Sequence, residues 1–120
     1  MKQWLNTEFV SSCSKTTQFK SFARQFRNAI KKALPENSEL ANFNTGHFYC
    51  SGFVKRGEAF VYFSISDVRH FAGEWYNHVL VRTAQHEKDF TGGCNNYTTL
   101  ENFGREVDTL LQIMEGGIIR

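Results

Sequence analysis

HFYCSGFVKRGEAFVYFSIS, residues 47–66, decides the fold. It is two runs dense in aromatic and β-branched residues, parted by Arg56-Gly57-Glu58. Such runs favour strands, and a glycine between them supplies the positive φ of a tight hairpin. Two antiparallel strands are therefore expected, His47–Lys55 and Ala59–Ser66. After a loop over Asp67–Glu74, WYNHVLVRTA (Trp75–Ala84) reads as a third. Side chains alternate across a strand. One face would carry Phe48, Cys50, Val54, Ala59, Val61, Phe63, Ile65, Val79 and Val81. The opposite face would carry His47, Tyr49, Phe53, Phe60, Tyr62, Tyr76, His78, Leu80 and Arg82, and is both more polar and unusually aromatic.

On either side of this sheet the hydrophobic spacing changes to threes and fours. Phe19, Phe22, Ala23, Phe26, Ile30, Ala33 and Leu34 draw one stripe of a helix near 16–34, capped by Ser14, Thr16 or Thr17 and closed by Pro35. Leu100, Phe103, Val107, Leu110, Leu111 and Met114 draw another near 99–115. There Thr98 and Glu101 have capping-box spacing, and Gly116-Gly117 marks the end. Residues 35–46 and 85–97 read as loops. The expected architecture is a single α+β domain over 1–120: an N-terminal arm at 1–14, a helix, a three-stranded antiparallel sheet and a helix. Phe22, Phe26, Phe63, Val79, Phe103 and Val107 should share one core, with Leu110 beside them.

A chain of 120 residues buries enough surface to fold without disulfide or metal. Cys13, Cys50 and Cys94 are odd in number and far apart, which reads as reduced thiols in a cytoplasmic protein. The opening Met1-Lys2-Gln3-Trp4-Leu5-Asn6 has no signal-peptide core, and no stretch approaches the ~20 apolar residues of a membrane span. No membrane partner and no cofactor are expected. Net charge is +2 but unevenly spread. Residues 1–34 hold seven basic residues against Glu8 alone, while residues 35–120 hold seven basic and eleven acidic residues. That asymmetry suits an acidic partner or nucleic acid.

Lys20, Arg24, Arg27 and Lys31 recur at steps of four, three and four, with no acidic residue between them. Cations so placed can meet successive phosphates or an acidic groove, although any amphipathic helix also needs a solvated face. Tyr49, Phe53, Phe60, Tyr62 and Tyr76, beside His78 and Arg82, would suit stacked bases; coverage by the arm or by a second copy in a homodimer is the plainer reading. Thr91-Gly92-Gly93 with Lys88 nearby would let an anion approach the backbone ahead of the second helix, although a tight turn explains the same glycines. A ribonuclease-like acid and base can be drawn from His78 or His86 with Glu58 or Glu87, Arg82 steadying a phosphate, but no spacing forces that assembly. No metal-ligand spacing is present: His86 and Cys94 stand eight apart with no paired ligands.

The stretch SDVRHFAGEWYNHVLVRTAQHEKDFTGGCNNYTTLENF (66–103) resembles small uncharacterised proteins carried by phages and mobile elements of Gram-positive bacteria, as do MKQWLNTEFV and FNTGHFYCSGF. The resemblance implies a mobile-element setting, where small non-enzymatic proteins block host defences in the manner of anti-CRISPR proteins. It implies no catalytic residues. The helix–three strands–helix order is also that of double-stranded RNA-binding domains. Those open their second helix with a lysine cluster, whereas here it opens Thr-Thr-Leu-Glu-Asn, so only topology is shared. The expected function is a non-enzymatic binding protein for nucleic acid or a nucleic-acid-handling protein, with a small endoribonuclease and a homodimeric interaction module as alternatives.

Overall fold

The computed structural model describes residues 16–46, 49–65, 79–89 and 95–116. In chain order these form α1 (Thr16–Ala33), β1 (Glu39–Thr45), β2 (Cys50–Arg56), β3 (Ala59–Ile65), β4 (Val79–Ala84), β5 (Asn96–Thr98) and α2 (Phe103–Gly116). All strands pair antiparallel with their sequence neighbours in the order β1-β2-β3-β4-β5. The α+β class holds, but the sheet has five strands rather than three. The departure from the double-stranded RNA-binding topology is therefore larger than the sequence suggested. No helix among the described residues is long and apolar enough to cross a membrane.

Both extra strands lie at the edges, in segments that read as loops. β1 was hidden by a bulge. Ala41 pairs with Phe53 and Asn44 with Ser51, so β1 takes three steps where β2 takes two. The extra residue breaks the period of two. It lets Leu40 and Phe43, three apart, both pack against the core. Asn42 takes the left-handed conformation at the bulge, with φ 46°, a region in which Asn is several-fold enriched. β5 is only three residues long, too short to show any alternation.

The hairpin between β2 and β3 is as expected. Gly57 has φ 63°, Glu58 does not share the positive φ, and Arg56 pairs directly with Ala59. This is the type II′ pattern of a two-residue turn. The strand boundaries move slightly: β2 continues to Arg56 and β3 ends at Ile65. His47, Phe48 and Trp75 to His78, assigned to strands on sequence, lie outside the described residues, as does the arm at 1–14.

Register confirms the division of faces. Val54 pairs with Val61, and Gly52 with Phe63, which pairs in turn with Val81. This row faces the helices. Phe22 and Phe26 of α1, Phe63 and Val79 of the sheet, and Phe103 and Val107 of α2 join one buried cluster. Leu111 is fully buried, and Leu110 is partly buried and packs against the cluster at its edge. The stripe has a centre and an edge, and spacing alone does not rank its members.

The start of α2 also differs. Thr98 is in β5 with its side chain buried, and residues 100–102 form a turn. The Asn102 N–H donates to Thr99 Oγ1 at 3.1 Å, and the Glu106 N–H opens the helix by donating to the Asn102 carbonyl at 3.0 Å. The capping box expected of Thr98 and Glu101 is thus replaced by a turn capped by Thr99. The short strand consumes Thr98, and the helix begins later than its apolar stripe.

Arg56 ties the sheet to α2. Its Nη1 donates to Asp108 Oδ1 at 2.8 Å, and its Nε and Nη2 donate to Glu115 at 2.7 and 3.0 Å. A further bond reaches the Glu36 carbonyl at 3.3 Å. The arginine side chain is 15% exposed, against 38% and 39% for the two carboxylates, so the cation is the sheltered partner. The hydrogen bonds that it donates to Glu115 and Asp108 hold the guanidinium above its ordinary pKa. Hydrogen bonding to Arg56 holds both carboxyls below theirs. A depressed folded pKa gives stability that is present above the unfolded value of about 4 and lost as pH falls through the folded one. Arg56→Met should therefore lower the melting temperature at pH 7 by about 3 °C, a modest loss because water screens both carboxylates. It should also flatten the acid limb of the melting curve as pH falls below about 4. An acid limb of unchanged shape, followed by circular dichroism, would contradict the assignment.

Candidate nucleic-acid interface

The basic residues of α1 occupy the side of the helix that the sheet leaves open. From Lys20 to Lys32 the exposed residues are Lys20, Arg24, Arg27, Asn28, Lys31 and Lys32. Five are cations and one is an amide. At 100° per residue, the four-three-four steps place Lys20, Arg24, Arg27 and Lys31 within an arc of about 60°. Among the described residues both ion pairs belong to Arg56, and no carboxylate lies within ion-pair distance of the α1 cations. An ordinary solvating face mixes signs. This one presents positive charge alone, on a helix whose other side is anchored by Phe19, Phe22, Phe26 and Ile30.

The aromatic residues lie on the opposite face of the sheet. Phe53 pairs with Tyr62, and Tyr62 with Arg82. The Arg82 guanidinium stacks 4.5 Å from the Tyr62 ring centroid, and its Nη1 donates to Asn95 Oδ1 at 3.0 Å. Phe53 meets Tyr62 edge-on at 5.3 Å and is fully buried. An open stacking platform is therefore not what this row provides, since one aromatic is covered and the next carries a cation on its ring. Tyr62 and Arg82 are half-buried, while Tyr49 is exposed at the end of the β1–β2 connection. Tyr97, opposite Leu80 on β5, is the most exposed aromatic among the described residues at 68%. Sequence reading passed over it because Asn95-Asn96-Tyr97 looked like loop. His78 and Tyr76 lie outside the described residues. The sheet thus separates the two features that sequence reading combined: the cationic helix on one side, Tyr62 and Arg82 on the other.

The third candidate is only half described. Lys88 is exposed in a turn in which the Gln85 N–H donates to Asp89 Oδ2 at 2.9 Å and the Lys88 N–H donates to His86 Nδ1 at 3.1 Å. Asn42 Nδ2 donates to the Glu87 carbonyl at 2.7 Å, which brings this turn back across two strands to the β1 bulge. Thr91, Gly92 and Gly93 lie outside the described residues. The Asp89 carboxylate beside Lys88 opposes an anion at this end of the loop.

The catalytic candidates do not assemble among the described residues. His86 is exposed, and no hydrogen bond or ion pair joins it to Glu58 or Glu87. No group of three or more His, Cys, Asp or Glu residues there could hold a metal ion. Cys50 is buried in the core; Cys13 and Cys94 lie outside the described residues. Comparison with protein-family models, with curated proteins and with solved structures returned no match.

Proposed function

We propose that this chain is a non-enzymatic binding protein that engages nucleic acid, or a protein that handles it, through the outer face of α1. The observation that supports the reading is the single-signed row of Lys20, Arg24, Arg27 and Lys31, each exposed and none ion-paired among the described residues. Unneutralised cations attract a polyanion over a Debye length and release its counterions on contact. Tyr49 and, across the sheet, Tyr62 with Arg82 would add contacts only for a partner that reaches round the domain edge. The resemblance to proteins of mobile elements adds a setting, an action against host defence, without assigning any residue a role.

The test is charge reversal. Arg24→Glu with Arg27→Glu should weaken binding to nucleic acid, or to a captured acidic partner, at least tenfold at low salt. Melting should stay nearly unchanged, because both side chains stand in water. Unaltered affinity for every partner would remove α1 from the function.

A further inference from the structure

We infer that the α1 surface contacts the phosphate backbone of a nucleic-acid duplex along one strand, without reading its bases. The inference rests on the reading of α1 as the binding face and deepens it. Three features of the surface lead to it.

The first is spacing. Lys20 to Lys31 covers about 16 Å of helix axis at 1.5 Å per residue. A duplex presents a phosphate of one strand about every 3.4 Å of its axis; because the strand also winds round that axis, consecutive phosphates lie about twice as far apart, and about three stand within the length of this row, already held in place. A flexible single strand would have to be ordered against the helix first.

The second is the narrowness of the row. Four of the five exposed cations lie inside an arc of about 60° and only Lys32 stands outside it, about 80° away, so the helix has one main charged edge and not two matched flanks to straddle a groove. Contacts to phosphates fix position and carry no sequence information.

The third is the chemistry of the surface. Its exposed residues from Lys20 to Lys32 are cations and Asn28, with no aromatic side chain among them. Proteins that hold single strands without sequence preference combine a charged groove with rings on which bases stack. Here the Tyr62 ring lies on the other face of the sheet and already carries the Arg82 guanidinium at 4.5 Å.

The experiment is fluorescence anisotropy of the full chain with two 20-base-pair DNA duplexes of unrelated sequence, an RNA duplex and a DNA single strand of the same length. The two DNA duplexes should bind within threefold of each other and the single strand at least fivefold more weakly; the tighter of the DNA and RNA duplexes identifies the source of the backbone. For three phosphate contacts, the slope of log K against log salt should be about −2.7, roughly a fortyfold loss between 50 and 200 mM. Lys31→Gln should reduce that slope by about 0.9. A single strand that matches the duplexes, a tenfold preference between the two sequences, or a slope untouched by Lys31→Gln would overturn the inference. The proposed function would survive those results if charge reversal of Arg24 and Arg27 still weakened binding. No binding to any of the four probes at 50 mM salt would overturn the inference, and with it a nucleic-acid partner.

Discussion

Phe63→Ala is expected to lower the unfolding free energy by about 3–5 kcal/mol, the largest loss foreseen for a single side chain here. The ring is fully buried where three elements meet. It lies edge-on to Phe103 of α2 at 5.5 Å, and its centroid is 6.3 Å from Phe26 of α1 and 6.4 Å from Phe43 of β1. Removing it opens a space that its neighbours are poorly placed to refill. Its cross-strand partner is Gly52, where even a Cβ would come within 2.9 Å of the present ring. A glycine has no side chain to swing into the gap, so the cavity term should be near the upper end of its range. Urea unfolding should show a lower midpoint at an unchanged slope. Phe60→Ala, on the half-buried opposite face of the same strand, should cost less than half as much. Equal losses for the two would mean that the faces of β3 are misassigned.

The alternation of Ala59, Val61, Phe63 and Ile65 made that face legible in advance. A strand with one face in the core repeats every two residues, and a helix packed on it repeats every three to four. Both periods were intact in β3, β4, α1 and α2, so their core residues could be named from sequence. β1 was illegible because its bulge turns Leu40 and Phe43 to the same side at a spacing of three, which breaks the strand period of two. β5 was illegible because three residues hold no period at all. The cationic row was readable to the residue, since helical spacing fixes which side chains share a face. Its separation from Tyr62 and Arg82 was not, because sequence periodicity says which residues share a face of one element and nothing about which face another element covers. Arg56 shows the same limit. Its partners Asp108 and Glu115 are more than fifty residues away, and no local pattern announces them.

Gly104→Ala should destabilise the fold by about 1–3 kcal/mol, although the same change at an open helical position stabilises by up to about 1 kcal/mol. Gly104 is the second residue of α2, and there helix propensity argues for alanine. Packing argues against it. A Cβ at this position would stand 2.5 Å from the carbonyl oxygen of Ala33, the last residue of α1. That atom is backbone at the end of a packed helix, so no rotamer change can relieve the clash. Either the first turn of α2 or the last turn of α1 has to move. The close approach also sets the positive N-terminal end of α2 beside the carbonyl end of α1, a favourable arrangement of the two dipoles that a shift would weaken. A fall in melting temperature of roughly 4–12 °C is expected for a domain of this size. A rise would show that propensity wins and that the two helix ends are not in contact. The substitution also separates stability from binding. Lys31 and Lys32 lie in the last turn of α1 next to Ala33, but a displacement of a few tenths of an ångström is small against the reach of a lysine side chain. Well below the melting temperature, duplex affinity should therefore stay within about threefold of the parent. A larger loss would mean that the row of cations depends on the exact placing of the α1 terminus and acts as a shaped surface as well as a charged one.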